Sequence, residues 1–117
     1  MLIGELSRRT GVSARSLRYY EAQGLLTAAR GTNGYREYAE DAVLTVLQVR
    51  ALLSAGLGTE VIRDVLPCAR GERPEIELCV DLRALLGQEL ADMDERIEEL
   101  RRGRDALAGY LGRRSAN

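Results

Sequence analysis

The chain contains no histidine, lysine, tryptophan or phenylalanine. Without histidine it lacks the side chain best suited to proton transfer near neutral pH, and a common metal ligand. It also shows no phosphate-cradling glycine loop and no nucleophile with a base close by in sequence, so an enzyme is not expected. With no Trp or Phe, a core must be built from Leu, Val, Ile, Ala and the five tyrosines. No apolar run approaches the ~20 residues that cross a bilayer. Glu5, Arg8 and Arg9 interrupt the start of the chain, so Met1-Leu2-Ile3 does not begin a signal peptide. These absences point to a cytoplasmic protein. There, two cysteines are expected to be free, metal-bound or redox-active rather than a permanent staple.

The charge that is present is unevenly spread. All seventeen basic residues are arginine, and the formal net charge is −1. Residues 1–38 hold six arginines against Glu5, Glu21 and Glu37, whereas residues 39–117 hold eleven against fifteen acids. A basic end joined to an acidic remainder suits a nucleic-acid-binding head with a protein-facing extension. The excess is too modest to establish DNA binding on its own.

The basic end carries the most informative stretch, Ile3 to Leu26. Two short helical patterns, Gly4–Arg9 and Ala14–Glu21, flank Thr10-Gly11-Val12-Ser13. Ile3 and Leu6 give the first an apolar side. Gly11 supplies an unrestricted turn, and Ser13 is a good N-cap for the second. Val12 and Leu17 can meet the first helix across the turn. This is the layout of a helix-turn-helix, whose second helix enters a DNA major groove. On that helix Arg15, Arg18 and Tyr19 point away from Leu17, offering donors for phosphates or guanine edges, and Tyr20 flanks the buried side. Its free N–H groups behind Ser13 can receive a phosphate. An ordinary helical hairpin with a solvated arginine face would use the same residues.

Beyond Leu26, Asn33-Gly34 is a strong hairpin signal because both residues tolerate positive φ. Ala28–Arg30 and Tyr35–Tyr38 then form a two-stranded wing, with Arg30 and Arg36 on opposite arms. A helix opens at Glu40 and Asp41 and ends at Ala55-Gly56, its apolar side formed by Val43, Leu44, Leu47, Ala51 and Leu52. A shorter one, Thr59–Leu66, carries Val61, Ile62, Val65 and Leu66, with Gly58 as its N-cap. Residues 67–75 show no apolar period and read as a polar loop. From Ile76 the pattern is helical almost to Gly112. Leu86, Leu90, Met93, Ile97, Leu100, Leu107 and Leu111 are spaced 4, 3, 4, 3, 7 and 4, a coiled-coil seam in which Arg104 takes one position. A helix with such a stripe must bury it, and self-association to a homodimer is the expected way.

IGEL, TGVS, LRYYE and GLL, followed by NGYREY, resemble the MerR family of transcription regulators, in register from Ile3 to about Leu66. The resemblance implies a mostly α fold: a winged helix-turn-helix head with a second helical pair (1–66), a linker (67–75), a dimerisation helix (76–112) and a tail (113–117). It makes Ser13, Arg15, Arg18, Tyr19, Tyr35 and Arg36 the DNA-binding candidates. It also implies antiparallel pairing of the long helices from two subunits. The heads would then read a two-fold-related site in double-stranded DNA, distorting promoters whose elements lie too far apart so that RNA polymerase can engage both. At 117 residues, a short form without a separate effector-binding domain is expected.

Cys68 and Cys79 bracket the linker and the start of the long helix. They read as small structural side chains, as a thiol switch, or as metal ligands assisted by Glu72, Glu75 or Glu77. Two thiolates without histidine cannot complete a four-ligand zinc site from Cys and His alone. Mercury-sensing members of the family keep a thiol near Cys79, but their other thiols follow the long helix, where this sequence has none. The sequence requires no cofactor and leaves the effector unidentified. The reading that competes with a DNA-binding regulator is a small thiol-redox or metal-binding protein using Cys68 and Cys79.

Overall fold

The computed structural model describes residues 1–31 and 33–113. Thr32 in the wing loop, and the expected tail beyond Arg113, lie outside the described residues. The chain divides into two compact units, Met1–Leu82 and Arg83–Asn117.

The first unit opens with α1 (Ile3–Thr10) and α2 (Ala14–Ala22). α1 ends at Gly11, whose φ of 74° is the left-handed conformation that an L side chain resists. Thr10 is buried without an unpaired hydroxyl, because Oγ1 donates to the Leu6 oxygen at 2.8 Å and accepts from the Val12 N–H at 3.2 Å. Ser13 starts α2 as expected, in extended conformation, its hydroxyl accepting from the Ser16 N–H at 3.1 Å. Leu6, Val12, Leu17 and Tyr20 are buried in the core of this unit. Each such side chain contributes about 1.5–3 kcal/mol of hydrophobic stabilisation.

Strands β1 (Ala29–Arg30) and β2 (Arg36–Glu37) form the wing, paired antiparallel with Ala29 opposite Glu37 and Arg30 opposite Arg36. Asn33 and Gly34 lie in its loop, and Gly34 has φ of 81°. The Asn33 side-chain oxygen accepts from the Tyr35 N–H at 3.1 Å, and the Gly31 N–H donates to the Tyr35 oxygen at 2.7 Å. The side chain thus braces the turn locally.

Helix α3 (Ala42–Ser54) buries Ala42, Val46, Val49 and Leu52. The face expected from sequence is displaced: Leu44 is exposed, and Val43, Leu47 and Ala51 are not among its fully buried residues. Gln48 is buried too, satisfied by donating to the Gly71 oxygen at 3.2 Å. α4 (Thr59–Val65) follows Gly58 and buries Ile62 and Val65 as expected. A 3-10 turn, Leu66–Cys68, then leads into a second hairpin where sequence suggested a loop. Its strands are β3 (Ala69–Arg70) and β4 (Glu75–Ile76), with Ala69 opposite Ile76 and Arg70 opposite Glu75.

Helix α5 (Val80–Gly112) begins four residues later than the apolar pattern suggested, because Ile76 is spent on β4. Within the second unit it runs as a single helix. Leu90, Ile97, Leu100 and Leu107 are exposed along it, and Leu86 and Met93 are half-buried. Among the described residues no helix is long and apolar enough to cross a membrane.

Candidate nucleic-acid interface

The interface is built on the outward side of α2. Leu17 and Tyr20 face the core, which leaves Arg15, Arg18 and Tyr19 exposed at the i, i+3 and i+4 positions of one helical face. Tyr19 is 52% exposed, so its ring and hydroxyl are open to a partner. Ser13 is exposed at the head of this face, its hydroxyl occupied by the cap and by donation to the Ser16 hydroxyl at 3.1 Å. The cap orients the first turn of α2, whose free N–H groups point outward with a partial positive charge.

A cleft of about 890 Å³ opens beside this helix, between the beginning of α1 and the wing. Arg18, Tyr35 and Arg36 line it together, so three of the sequence-derived candidates meet across two elements. Arg15, Tyr19 and Ser13 are not part of its wall. Two residues that sequence reasoning did not assign also belong here. Arg8 lines the cleft from α1, its side chain 75% exposed and only distantly paired with Glu5 at 3.9 Å. Its neighbour Arg9 is instead held by Glu40 at 2.6 Å and Glu5 at 3.7 Å, which raises its pKa, the Glu40 hydrogen bond and charge acting most strongly. A helical wheel puts Arg8 opposite Leu6 but cannot say which outer surface it joins.

The other unassigned residue is Glu21. Its carboxylate accepts from Arg36 and, at 2.8 Å, from the Tyr38 hydroxyl. Tyr38 is 2% exposed and its pKa is pushed up to about 12, first by burial and then by its bond to Glu21. The phenol therefore remains a donor at any ordinary pH. An acid within a basic stretch was the available sequence signal. Arg30 sits on the other arm of the wing, exposed and at 3.5 Å from the Gly34 oxygen.

The cysteines lie elsewhere in the first unit. The Glu77 N–H donates to the Cys68 oxygen at 3.0 Å, extending the second hairpin by one rung. Cys79, two residues further and exposed, caps α5: its sulfur accepts from the Leu82 N–H at 3.5 Å. Both thiols are free, and no cluster of three potential ligands exists among the described residues.

A basic helix, a basic wing and a cleft between them can grip a phosphate backbone while the helix reads a groove. Known proteins are similar to this chain in sequence and fold. The family model described as MerR HTH family regulatory protein matches residues 1–68. The chain is 33% identical over 100 residues to the HTH-type transcriptional regulator HmrR of Rhizobium leguminosarum bv. viciae, spanning 86% of this chain and 75% of that protein. Over 114 residues it is 32% identical to Heavy metal-dependent transcription regulator 2 of Rhizobium meliloti (strain 1021), spanning 94% and 76%. The transcription regulator PbrR691 from Ralstonia metallidurans CH34, solved in complex with lead(II), superposes with a TM-score of 0.76 at 28% identity, covering 98% of this chain and 91% of that one. HiNmlR, a regulator lacking the sensor domain and solved bound to promoter DNA, shares the fold at a TM-score of 0.56 and 21% identity, covering 94% and 86%.

Proposed function

The chain belongs to the MerR family of helix-turn-helix regulatory proteins and is a DNA-binding transcription regulator, and from that premise we propose how it works. Two copies pair through the α5 stripe centred on Leu86, Leu90, Met93, Ile97, Leu100 and Leu107, antiparallel, and present two heads to a two-fold-related promoter site. On each half-site α2 enters the major groove. Arg15, nearest the helix start, reads a base edge. Arg18, Tyr19, Tyr35 and Arg36 hold phosphates, and Ser13 sets the helix N-terminus against another. The observation that carries this reading is the shared cleft, which puts Arg18 of the helix and Tyr35 and Arg36 of the wing on one surface.

Regulation then works by deforming the promoter so that RNA polymerase engages elements that are otherwise out of phase. Bending a site of this size costs about 1–6 kcal/mol. A signal redistributing about 1–3 kcal/mol between two arrangements is sufficient to switch output. We place that signal at Cys68 and Cys79, in the cytoplasm, and the relatives named for heavy metals favour a soft cation as its class. Two sulfurs suit a soft cation chemically. They do not complete a site among the described residues, so a second copy supplies the further donors.

The docking is tested on a duplex selected by the protein from a random pool. Arg18→Ala weakens binding on every sequence and flattens the salt dependence by about one counterion for each lost contact on each half-site. Arg15→Ala instead loses discrimination, by ~1–3 kcal/mol at one base pair. Unchanged affinity and salt slope in the Arg18 variant overturn the docking.

A further inference from the structure

By charge alone, a carboxylate beside a surface that meets phosphates opposes binding. Glu21 nevertheless stands in the last turn of α2, its side chain 19% exposed. One of its oxygens accepts from Arg36, and the other accepts from the Tyr38 hydroxyl. The two donors are two residues apart on the returning arm of the wing, so both project from one face. Tyr38 is anchored in its own right. Its ring is buried, and its backbone exchanges two hydrogen bonds of 2.7 Å with Met1.

The wing by itself has little to hold its pitch, since its ladder consists of two residue pairs. Isolated two-stranded hairpins are marginal in water. Its angle to α2 must therefore come from where it is anchored, and among the described residues the side-chain hydrogen bonds from the wing to the recognition helix end on this carboxylate. A guanidinium has five N–H donors in a fixed fork. With one nitrogen committed to Glu21, the orientation of the whole fork is restricted beside the cleft that Arg36 lines.

We propose that Glu21 is a positioning residue for DNA recognition: by holding Arg36 and Tyr38 together, it fixes the wing against the recognition helix so that both reach the duplex at once. Its effect on DNA is exerted through Arg36 and not by contact. The inference rests on the wing facing DNA, as in the docking above.

Glu21→Ala, Glu21→Gln, Arg36→Ala and the double variant Glu21→Ala, Arg36→Ala are compared for affinity and salt slope on the selected duplex, alongside thermal melts. Positioning predicts that Glu21→Ala weakens binding by about tenfold, the size of one charge-assisted hydrogen bond. It also predicts a shallower salt slope, although the variant has lost an acid and no cation. Glu21→Gln, which keeps one acceptor, falls between wild type and alanine. The double variant binds no worse than Arg36→Ala. A role confined to stability would lower the melting temperature and leave the salt slope unchanged, which overturns the proposal. Tighter binding by Glu21→Ala, or losses that add in the double variant, overturn it as well. Should the alanine variant not fold, the cycle of Glu21→Gln with Arg36→Ala decides by the same criteria. An Arg36→Ala variant indistinguishable from wild type removes the wing docking itself, a failure distinct from a silent Glu21 beside a sensitive Arg36.

Discussion

The guanidinium of Arg50, on α3, donates to the main-chain oxygen of Thr10 at 2.8 Å, forty residues away in sequence. Thr10 is the last residue of α1, and its oxygen is one of the carbonyls that a helix end leaves without an internal partner. The arginine satisfies it and ties the helix-turn-helix to the helix behind it.

Arg50→Ala should therefore destabilise the first unit by about 1–2 kcal/mol, within the usual range for a partly exposed bond from a charged donor. The denaturant midpoint of the variant measures it. Operator affinity should fall along with it, because the turn that orients α2 loses its support. A midpoint equal to that of wild type would show that water replaces the arginine at no cost.

Tyr38 gives a pH dependence with a definite sign. Its folded pKa, about 12, lies above the ordinary 10.0. The protonated phenol is therefore favoured in the folded state. The stability it contributes is fully present below pH 10.0 and is lost as pH rises through about 12. Tyr20, raised by burial, acts in the same direction. Urea midpoints measured from neutral pH up to about 12 should fall at the alkaline end, and Tyr38→Phe should fall less steeply. An identical slope in the phenylalanine variant would mean that Tyr38 ionises as freely folded as unfolded.

The helix-turn-helix was legible because its determinants are local: Gly11 in the turn, Ser13 as a cap, Ile3 and Leu6 at helical spacing, and Val12 and Leu17 to meet them across the turn. Its outward arginines followed from the same wheel. The buried face of α3 was not legible, since Ala42-Val43-Leu44-Thr45-Val46-Leu47 is apolar on nearly every side. Periodicity cannot choose a face when most faces qualify, and tertiary contacts chose Val46 and Val49. The second hairpin escaped for the opposite reason. Its two rungs are too short to alternate visibly, and Gly71 is held from outside by Gln48. Glu21 could be noticed as an odd acid, but its partners lie fifteen and seventeen residues away.

The stripe on α5 yields a prediction about assembly. Ile97 is 48% exposed within one chain, flanked along the stripe by Met93 and Leu100. Ile97→Asp places a carboxylate where a second copy would present apolar side chains, and burying it unpaired costs several kcal/mol. Sedimentation should find monomers whose heads remain helical but bind the operator poorly. A dimer surviving at low micromolar concentration would move the interface off this face.

The last prediction concerns Cys68 and Cys79. The rung from Glu77 to the Cys68 oxygen holds Cys68 at the open end of the second hairpin. Cys79 begins the turn that leads into α5, its sulfur already serving the Leu82 N–H. Any bond between the two thiols, direct or through a soft cation, closes the twelve-residue segment that contains β3 and β4. For an unstrained ring of that size the loop-entropy effect is roughly 3 kcal/mol against the open chain. Engaging Cys79 also withdraws an acceptor from the first turn of α5. On the dimer proposed above, both changes would act on the arrangement of the two heads more than on the grip of either. Oxidant or thiophilic metal should accordingly change transcription from a cognate promoter while operator affinity moves little. Run-off transcription and operator binding are compared for wild type and the double variant Cys68→Ser, Cys79→Ser, with and without diamide, lead(II) or zinc. A response that vanishes in the double variant assigns the signal to these thiols. Equal responses from both proteins would leave Cys68 and Cys79 with structural roles alone, as a hairpin residue and a helix cap.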